Sequence, residues 1–488
     1  MATEQTAIKD FLVSAKKASE VIIEAVSKDD FIHVFSHLDA DGVAAAGIIG
    51  KALLRLDARF RLRVTQWVDE KIVGEISSDK PHLVILTDFG SGYLDLLGEK
   101  LPGFKTIILD HHQITGNADN ENVVQVNPHL HDIDGATDVS GSGVAYFVAK
   151  ALDPDNVDMA PVAIVGALGD MQDKNEDRRL HGLNELIVND ALSTKLIIVE
   201  KDLTFFGRET RPIHKALAAT TNPFIPDLSG EEDKSLAFLA SLDIKPKEGE
   251  RWRALRDLTQ DEKKRLSSAL ADHLISKGLH FEVENLIGNV YVLTQEEPWT
   301  PLRDAREFAL VLNSTGRLDR PSLGIALCMG DRGLALEEAN KVLEEYRRNI
   351  SKYLSWVMER PERKREFENI YVVYGENSVN EKIIGTISSI LVSGLENPEK
   401  PLIAFSNIPE ENASKFSART NDVALSKGVN LGTVMHIASE KYGGKGGGHN
   451  VAAGAQVPID KIDGFIKTVD ELVGRQLKGE NLGSDINS

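Results

Sequence analysis

The sequence TIILDHH at residues 106–112 decides how the rest of the chain is interpreted. Its first four residues are aliphatic or β-branched and follow the turn residues Pro102 and Gly103, which predicts a short buried strand. In open α/β sheets, functional residues gather just past the carboxyl ends of such strands. An acid and two histidines at this point therefore suggest a site, and a loop acid with two surface histidines is the alternative.

Two earlier segments end in the same way. The apolar run 31–36 leads into HLDADG at 37–42, and a helix is predicted from Gly42 onward. The run PHLVILTDFG at 81–90 is another apolar strand that stops at Asp88 and a glycine. Strand, acidic tip and helix thus occur three times in succession, which predicts an α/β domain with a parallel sheet and helices on both faces.

The next segments add a fourth strand and two helices. Residues 123–126 are predicted as the strand, and SGSG at 140–143 opens an alanine-rich helix. A serine and glycine entry of this kind is either an ordinary N-cap or a cradle for phosphate. Residues 160–169 form an apolar helix that ends at Asp170, where an acid opposes the helix dipole. This unfavourable position predicts a partner for Asp170, with a metal ion as one candidate.

The pattern of strands and acids divides the chain. Between residues 194 and 300 the acidic strand tips disappear and polar, helical-looking segments replace them, with helices expected at 235–242 and 260–277. The predicted divisions are a catalytic α/β domain at 1–193, an inserted, mostly helical module at 194–300, a second α/β domain at 301–478 and a polar, disordered tail at 479–488.

One aromatic residue of the inserted module has an unusual setting. Trp252 lies among Arg251, Arg253 and Arg256. An indole ring beside cations can stack on bases and hold a nucleic-acid strand. A tryptophan that packs a helix is an equally good interpretation.

The second α/β domain is predicted from alternating apolar runs. Helices are expected at 303–313, 334–358 and 383–392, and strands at 322–329, 370–373, 402–405 and 415–419.

A glycine cluster, GGKGGGH at 443–449, follows these elements. Glycines permit a close backbone approach to a phosphate, and His449 adds a directional donor. Gly447, Gly448 and His449 are therefore predicted to bind substrate, and a flexible linker is the alternative. Arg419 is a further candidate, because a guanidinium can hold a phosphate through two hydrogen bonds.

Composition indicates a globular protein of a reducing compartment. Of 488 residues, 42% are hydrophobic and 27% are charged, as in ordinary folded domains. The formal charge of −19 argues against a generally basic surface, although carboxylates that bind metal ions would be neutralised. Cys328 is the only cysteine, which excludes an intramolecular disulfide and a cysteine-rich zinc site. No apolar run approaches the ~20 residues of a membrane span, so a cytoplasmic protein without membrane attachment is expected.

Eight polar residues follow the ends of separate predicted elements. They are His37, Asp39, Asp41, Asp88, Asp110, His111, His112 and Asp170. Carboxylates with imidazoles suit divalent ions such as Mn²⁺, and several shared acids suit two ions rather than one. Two ions ~3.5–4 Å apart activate a water molecule for phosphoester hydrolysis. A Gly-x-Ser-x-Gly elbow with evident partners and a Gly-x-x-x-x-Gly-Lys-Ser/Thr loop are both missing from the sequence.

Taken in order, these motifs resemble those of the DHH phosphoesterase superfamily. The matching residues are His37-x-Asp39-x-Asp41-Gly42, Asp88, Asp110-His111-His112 and Asp170. The glycine cluster resembles the DHHA1 domain that accompanies DHH domains in RecJ nucleases, nanoRNases and cyclic-dinucleotide phosphodiesterases. Residues 303–331, with REF at 306–308 and GRLDRPSLGIAL at 316–327, look most like the archaeal RecJ-like exonucleases, including the GINS-associated nuclease.

The resemblance implies a DHH domain, a DHHA1 domain and an active site in the cleft between these two lobes. It implies the metal ligands His37, Asp39, Asp41, Asp88, His111 and Asp170. Asp88 would be shared by two divalent ions, Mn²⁺ in preference to Mg²⁺, His112 would face the scissile phosphate, and Asp110 would orient the histidines. The implied activity is stepwise release of mononucleotides from single-stranded DNA or RNA, in replication or repair, with GINS as a partner.

Three functions fit this resemblance. The first is a single-strand exonuclease, which the chain length and the insertion favour. The second is a phosphodiesterase of short oligonucleotides or cyclic dinucleotides. The third is a non-catalytic replisome scaffold, which the filled ligand positions disfavour, because desolvated acids held together without a catalytic need are costly. The inserted module is expected to dock a partner or to guide the strand.

Overall fold

A computed structural model describes residues 2–117, 120–480 and 482. The chain forms two compact units, and their boundary in the sequence lies between Leu343 and Glu344. Most of the predicted tail, residues 481 and 483–488, lies outside the described residues. Among the helices that are described, none is both long enough and apolar enough to span a bilayer.

The first unit is built on a five-stranded parallel sheet. Its strands are β1 (Ile32–His37), β2 (Phe60–Thr65), β3 (Leu83–Thr87), β4 (Lys105–Leu109) and β5 (Val123–Val126). The strand order is β2-β1-β3-β4-β5, and every neighbouring pair is parallel. All five carboxyl ends therefore lie at one edge, which confirms the predicted parallel sheet.

Helices pack on both faces of this sheet. They are α1 (Ala2–Ser27), α2 (Ala40–Arg55), α3 (Glu70–Asp79), α4 (Leu94–Lys100), α5 (Gly141–Leu152), α6 (Ala160–Gly169) and α7 (Gly182–Ser193). Leu83 and Ile85 of β3 belong to the core that contains α2 and α5, whereas Val84 and Leu86 belong to a second core with α3 and α4. Because β3 is buried on both sides, its sequence is continuously apolar.

Within residues 194–300, residues 203–286 contain a separate hydrophobic core, whereas Ile197, Tyr291 and Leu293 belong to the core of the parallel-sheet domain. The elements are β6 (Ile197–Leu203), α8 (Ile213–Ala219), α9 (Glu232–Ser241), β7 (Lys247–Glu248), β8 (Arg251–Trp252), α10 (Gln260–Ser276) and β9 (Ile287–Leu293). Leu266, Leu270 and Leu274 recur at every fourth position of α10 and face Leu217 and Leu239 in the core. The helices predicted in this segment are confirmed, and β6 pairs with β9 in antiparallel orientation.

Three helices follow, and one of them corrects a prediction. They are α11 (Ala305–Arg317), α12 (Pro321–Met329) and α13 (Leu334–Met358). The strand predicted at 322–329 is wrong, since these residues form α12. A short apolar run can belong to a buried helix as well as to a strand. Pro321 in the first turn and Gly330 after the last, at φ 113°, are the start and stop signals of a helix.

The helices α2 and α12 approach each other closely. A Cβ atom added to Gly47 of α2 would lie 2.3 Å from Cβ of Cys328, so only a glycine fits at this position. Cys328 is 4% exposed, and burial raises the pKa of its thiol to about 12.

The second unit contains a mixed six-stranded sheet. Its strands are β10 (Lys364–Glu366), β11 (Tyr371–Glu376), β12 (Leu402–Ile408), β13 (Ala413–Arg419), β14 (Lys445–Gly448) and β15 (Ala452–Pro458), and its helices are α14 (Ile384–Leu391), α15 (Asp422–Ser426), α16 (Leu431–Lys441) and α17 (Ile462–Leu477). The order is β10-β11-β12-β13-β15-β14, in which only β11 and β12 are parallel. The glycine cluster thus forms an edge strand.

Candidate metal centre

Residues from three strand ends meet at the carboxyl edge of the parallel sheet. His37 is the last residue of β1, Asp88 follows β3, and Asp110 follows β4. Oδ2 of Asp88 lies 3.4 Å from Nδ1 of His37, and its Oδ1 lies 3.3 Å from Nε2 of His111. Asp88 therefore lies between histidines that come from two other strands.

The loop after β1 holds an acid against His37. Asp39 is the N-cap of α2 and accepts a hydrogen bond of 3.0 Å from the N–H of Gly42. Its Oδ2 lies 3.0 Å from Nδ1 of His37. Burial opposes ionisation of both groups, but the contact with His37 holds the pKa of Asp39 well below its usual range, and the Asp39 and Asp88 carboxylates raise the pKa of His37 to about 10.

Asp41, in the first turn of α2, is oriented by two serines. Its Oδ1 accepts hydrogen bonds from the Ser140 hydroxyl at 2.7 Å and from the N–H of Ser142 at 3.0 Å. Ser140 also caps α5 by accepting from the N–H of Gly143 at 3.3 Å. The SGSG segment at 140–143 thus acts as an N-cap, which is one of its two predicted interpretations. The sequence did not reveal that the same hydroxyl would also hold Asp41.

His111 is fixed by a backbone carbonyl. Its Nδ1 lies 2.6 Å from the oxygen of Gly135, which can only accept, so the proton is on Nδ1. Nε2 then faces Oδ1 of Asp88 and Oδ2 of Asp170, both at 3.3 Å, and Oδ2 of Asp41 at 3.9 Å. Burial opposes a charged ring, but these acids raise the pKa of His111 well above its ordinary value. A nitrogen that faces three carboxylates requires a proton or another cation.

Gly135 and Gln172 are functional positions that the sequence did not reveal. The Gln172 amide donates to the same Gly135 carbonyl at 2.9 Å, and Gln172 is 2% exposed. A Cβ atom at Gly135 would lie 1.9 Å from the oxygen of His111, so the close approach requires a glycine. The position of Gln172, two residues after Asp170, is a signal that could have drawn attention to it.

Asp110 binds both histidines that follow it. Its Oδ1 accepts from the N–H groups of His111 at 2.8 Å and His112 at 3.2 Å, and lies 2.8 Å from Nδ1 of His112. Its Oδ2 accepts from the N–H of Ser91 at 2.9 Å. Burial opposes ionisation, but the histidines and this N–H hold the pKa of Asp110 well below its usual range. The His112 side chain is 44% exposed, so its ring lies at the solvent side of the cluster.

Two of the groups of ligand atoms that share Asp88 together contain the six predicted metal ligands. In each group the atoms lie within 4.8 Å of one another, and the groups are Asp41, Asp88, His111 and Asp170, and His37, Asp39 and Asp88. Carboxylates and imidazoles in such groups are compatible with divalent metal ions. The structure thus brings all six predicted metal ligands together, with Asp88 in the shared position.

Several of these atoms make no hydrogen bond. Oδ2 of Asp41, both side-chain oxygens of Asp88 and Nε2 of His111 are buried, and none makes a hydrogen bond within the described part of the chain. Burial and the Asp88 carboxylate raise the pKa of Asp41 to about 7, and burial and neighbouring acids raise the pKa of Asp170 well above its ordinary value. Buried polar atoms without partners are rare, because leaving them unpaired is unfavourable. Bound cations would satisfy them.

Glycines in α5 and α6 leave room for the carboxylate oxygens of Asp41 and Asp88. A Cβ atom at Gly141 would lie 2.6 Å from Oδ1 of Asp88 and 2.9 Å from Oδ2 of Asp41. A Cβ atom at Gly166 would lie 2.4 Å from Oδ1 of Asp41. The helices α5 and α6 can therefore approach the acids only where they carry no side chain.

The predicted substrate-binding residues lie in the second unit. Arg419 is the last residue of β13 and is paired in register with Ala452 of β15, while Gly448 of β14 is paired with Ala453. The N–H of His449 donates to the oxygen of Ala452 at 2.9 Å. Arg419, the glycines and His449 thus share one end of this sheet. Arg419 donates to the hydroxyl of Ser389 at 2.9 Å and to the oxygen of Ala418 at 2.8 Å.

Family models match three stretches of the chain: the N-terminal domain of the DHH family at residues 31–168, the DHH-CID domain at 205–287 and the DHHA1 domain at 368–475. The chain belongs to the DHH/DHHA1 superfamily. This DHH/DHHA1 protein has an α/β fold with an N-terminal parallel sheet, a helical middle segment and a C-terminal DHHA1 domain. The predicted divisions at 193 and 300 stay predictions, and the DHH-CID match lies between them.

Relatives of this DHH/DHHA1 protein include one from an archaeon. This chain is 34% identical to "Uncharacterized protein MJ0831" of Methanocaldococcus jannaschii over 474 residues, which are 96% of this chain and 99% of the relative. RecJ from Thermus thermophilus in complex with Mn²⁺ has a similar fold, with a TM-score of 0.58, 17% identity and 95% of this chain covered. This chain covers about half, 55%, of the length of that RecJ chain. CDC45 from Entamoeba histolytica matches 94% of this chain and 99% of its own, with a TM-score of 0.65 and 12% identity.

Proposed function

We propose that this protein is a metal-dependent phosphodiesterase that removes nucleotides from single-stranded DNA or RNA. The position of Asp88 supports this proposal, because its two side-chain oxygens make no hydrogen bond within the described residues and face His37 on one side and His111 on the other. A carboxylate shared by two ligand groups suits a pair of divalent ions, and such pairs are used to hydrolyse phosphoesters. DHH-family proteins are generally phosphoesterases, which supports the same class of reaction.

The proposed ligands are the six predicted residues. One ion would be held by Asp41, Asp88, His111 and Asp170, and the other by His37, Asp39 and Asp88. We propose Mn²⁺, with Mg²⁺ as the alternative ion, and the complexes of RecJ of Thermus thermophilus with Mn²⁺ and with Mg²⁺ support a divalent ion of this kind. Such ions supply positive charge for the phosphate and a nucleophilic water near neutral pH.

The residues around the proposed ions have separate roles. Asp110 accepts from Nδ1 of His112 at 2.8 Å, which leaves Nε2 of the half-exposed ring to face the substrate; a ring with protons on both nitrogens would donate from Nε2 to a phosphate oxygen. Gly135 fixes the proton of His111 on Nδ1 and leaves Nε2 to face the acids. We propose that Arg419, Gly447, Gly448 and His449 bind the substrate. Their common location at one end of the DHHA1 sheet supports this assignment.

The Asp88→Asn variant tests the proposed activity. Wild-type protein with Mn²⁺ should shorten end-labelled single-stranded DNA or RNA stepwise, and the variant should lose this activity, because an amide cannot act as a shared anionic ligand. Asp10→Asn, which changes an exposed aspartate of α1 in the same way, is the matched control and should retain full activity. Unchanged cleavage by Asp88→Asn, with the fold checked by circular dichroism, would contradict the proposal.

The same time courses separate the alternative functions. Stepwise shortening of a long strand supports the exonuclease. Cleavage of only dinucleotides or a cyclic dinucleotide would support the small-substrate phosphodiesterase. A protein that cleaves nothing but co-elutes with recombinant GINS would support the scaffold. A role in replication or repair, with GINS as the partner, stays a prediction that rests on the sequence motifs.

A further inference from the structure

The helix α11 lies against two segments that carry proposed metal ligands. It packs on α2, which follows the loop that carries Asp39, and on α6, which ends immediately before Asp170. None of the three stretches that match family models includes this helix. Arg306 and Asn313 of α11 are seven positions apart, so they lie on one face of the helix, about 10 Å from each other along its axis. Two side chains of one face can therefore reach both segments at once.

The first contact is with the loop between β1 and α2. Oδ1 of Asn313 accepts a hydrogen bond of 3.1 Å from the N–H of Ala40. Ala40 directly follows Asp39, and because it is the first residue of α2 its N–H has no acceptor within that helix. A Cβ atom added to Gly316 would lie 1.7 Å from the oxygen of Leu38, so the backbone of α11 also lies directly against the loop. The loop is thus held at the residues on both sides of Asp39.

The second contact is with the segment that follows α6. Nη1 and Nη2 of Arg306 both donate to the carboxylate of Asp173, the former at 3.1 Å. Asp173 is 2% exposed and lies three residues after Asp170. An arginine that binds a carboxylate through two hydrogen bonds fixes its partner in direction as well as in distance. Since α6 ends before Asp170, this ion pair holds the backbone on the other side of that ligand.

The two contacts act on different ligand groups. Asn313 supports the loop that carries His37 and Asp39, which belong to one group. Arg306 supports the segment that carries Asp170, which belongs to the other group. The acid in the first turn of α2 is held independently by the two serines at the start of α5. Loss of either contact should therefore weaken the binding of one ion more than that of the other.

We propose that α11 positions the metal ligands, with Asn313 fixing the loop between β1 and α2 and Arg306 fixing the segment after α6. Both are positioning residues, because each acts on the ligands through the backbone that carries them. Removal of groups that orient metal ligands typically lowers metal affinity by about 10–100-fold. This inference rests on the proposed function, because it concerns the same metal centre.

Isothermal titration calorimetry with Mn²⁺, in the absence of any substrate, tests the two residues. Asn313→Ala and Arg306→Leu should each weaken the binding of one ion about tenfold and leave the other ion nearly unaffected. Arg306→Lys keeps one donor for the buried carboxylate and should weaken the same ion by a smaller factor. This variant also keeps the test decisive if Arg306→Leu fails to fold, which circular dichroism will show.

Two control variants remove similar groups away from the metal centre. Asn189→Ala changes an exposed asparagine of α7. Arg55→Leu breaks an ion pair of 2.7 Å with Asp158 at the last residue of α2. Both variants should bind the two ions with wild-type dissociation constants.

Ligand variants show which ion each residue supports. In Asp39→Asn protein, Asn313→Ala should have little further effect on Mn²⁺ binding, whereas the Arg306 substitutions should keep their full effect. In Asp170→Asn protein the pattern should be reversed. Substitutions that act through the same ligand are not additive, and double-mutant cycles measure this coupling. A merely structural role would lower Tm to the same extent in both ligand variants without producing the crossed pattern.

The outcomes separate this inference from the proposed function. Wild-type dissociation constants in both α11 variants, or effects of equal size in both ligand variants, would overturn the positioning role even if wild-type protein cleaves strands normally. The crossed pattern would support it even if wild-type protein cleaves nothing, because the titrations require only that the metal ions bind.

Discussion

Metal binding by this protein should displace protons, and the number of protons can be derived from the histidines of the centre. The pKa of His37 is raised to about 10 and that of His111 well above its ordinary value, so both rings carry an extra proton near neutral pH when no metal is bound. A metal ligand must be a neutral imidazole, so filling both ligand groups should release about two protons. Asp41, with a pKa of about 7, contributes a further fraction below neutral pH.

The sign of the pH dependence follows directly. Because metal ions bind the deprotonated groups, affinity rises with pH until the raised pKa values are passed. Each displaced proton changes an apparent dissociation constant tenfold per pH unit, so one proton for each ion predicts about tenfold tighter binding of that ion per unit above neutral pH, and about a 100-fold fall in the product of the two dissociation constants. Affinity should therefore increase steeply from neutral to moderately alkaline conditions.

Isothermal titration calorimetry with Mn²⁺ measures this quantity. Titrations in buffers with different ionisation enthalpies give the number of protons released for each ion bound. His111→Asn should reduce the total released by the two ions by about one proton, because asparagine has no such proton to lose. His82→Asn changes an exposed histidine, 59% accessible, whose ring lies outside the centre, and should leave the number unchanged. Binding without proton release and without pH dependence would refute the assignment of the two histidines.

Two further perturbations probe the backbone of the centre and a remote ion pair. Gly141→Ala places a methyl group 2.6 Å from Oδ1 of Asp88 and should abolish the rise in Tm that Mn²⁺ produces, whereas Gly74→Ala, which meets nothing within 4 Å, should preserve it in differential scanning fluorimetry. The hydrogen bond from Arg253 holds the pKa of Glu262 at about 2, so its stabilising contribution is present above the ordinary glutamate pKa of 4.5 and is lost as pH falls towards 2. Glu262→Gln should therefore destabilise the protein by about 1–2 kcal/mol at pH 6, after allowance for solvent screening. The loss should be much smaller at pH 3. A difference in Tm between variant and wild type that grows in acid would contradict this.

Four of the five strands of the parallel sheet were predicted from their apolar runs, and β2 (Phe60–Thr65), where apolar residues alternate with Arg61 and Arg63, was missed. Leu83–Leu86 of β3 are all apolar, and Asp88 follows two residues later, as expected for a strand that is buried on both faces. The same reasoning failed for 322–329, because Pro321 and Gly330 were the informative residues and the apolar run between them fits either element.

The sequence predicted the side chains that make up the metal centre, but not the contacts that hold them in place. Asp88 and Asp110 directly follow strands, so their position at one edge follows from the parallel arrangement, whereas Asp170 follows the helix α6 and only the structure places it there. The contact between His111 and the carbonyl of Gly135 could not be predicted from the sequence, because a backbone oxygen is present at every residue. The two functions of Ser140 were also beyond prediction, since one hydroxyl that caps a helix and also binds Asp41 requires knowledge of how α5 approaches α2.

The close packing of Gly47 on Cys328 also provides a reporter of structural opening. The chain has a single thiol, and in the folded state it is both covered by α2 and kept protonated by its pKa of about 12. Alkylating reagents attack thiolates, so labelling of Cys328 should wait until α2 and α12 separate. The labelling rate of unmodified protein therefore measures how often α2 and α12 separate. Ions held by Asp41 of α2 together with residues at the strand ends should slow the labelling.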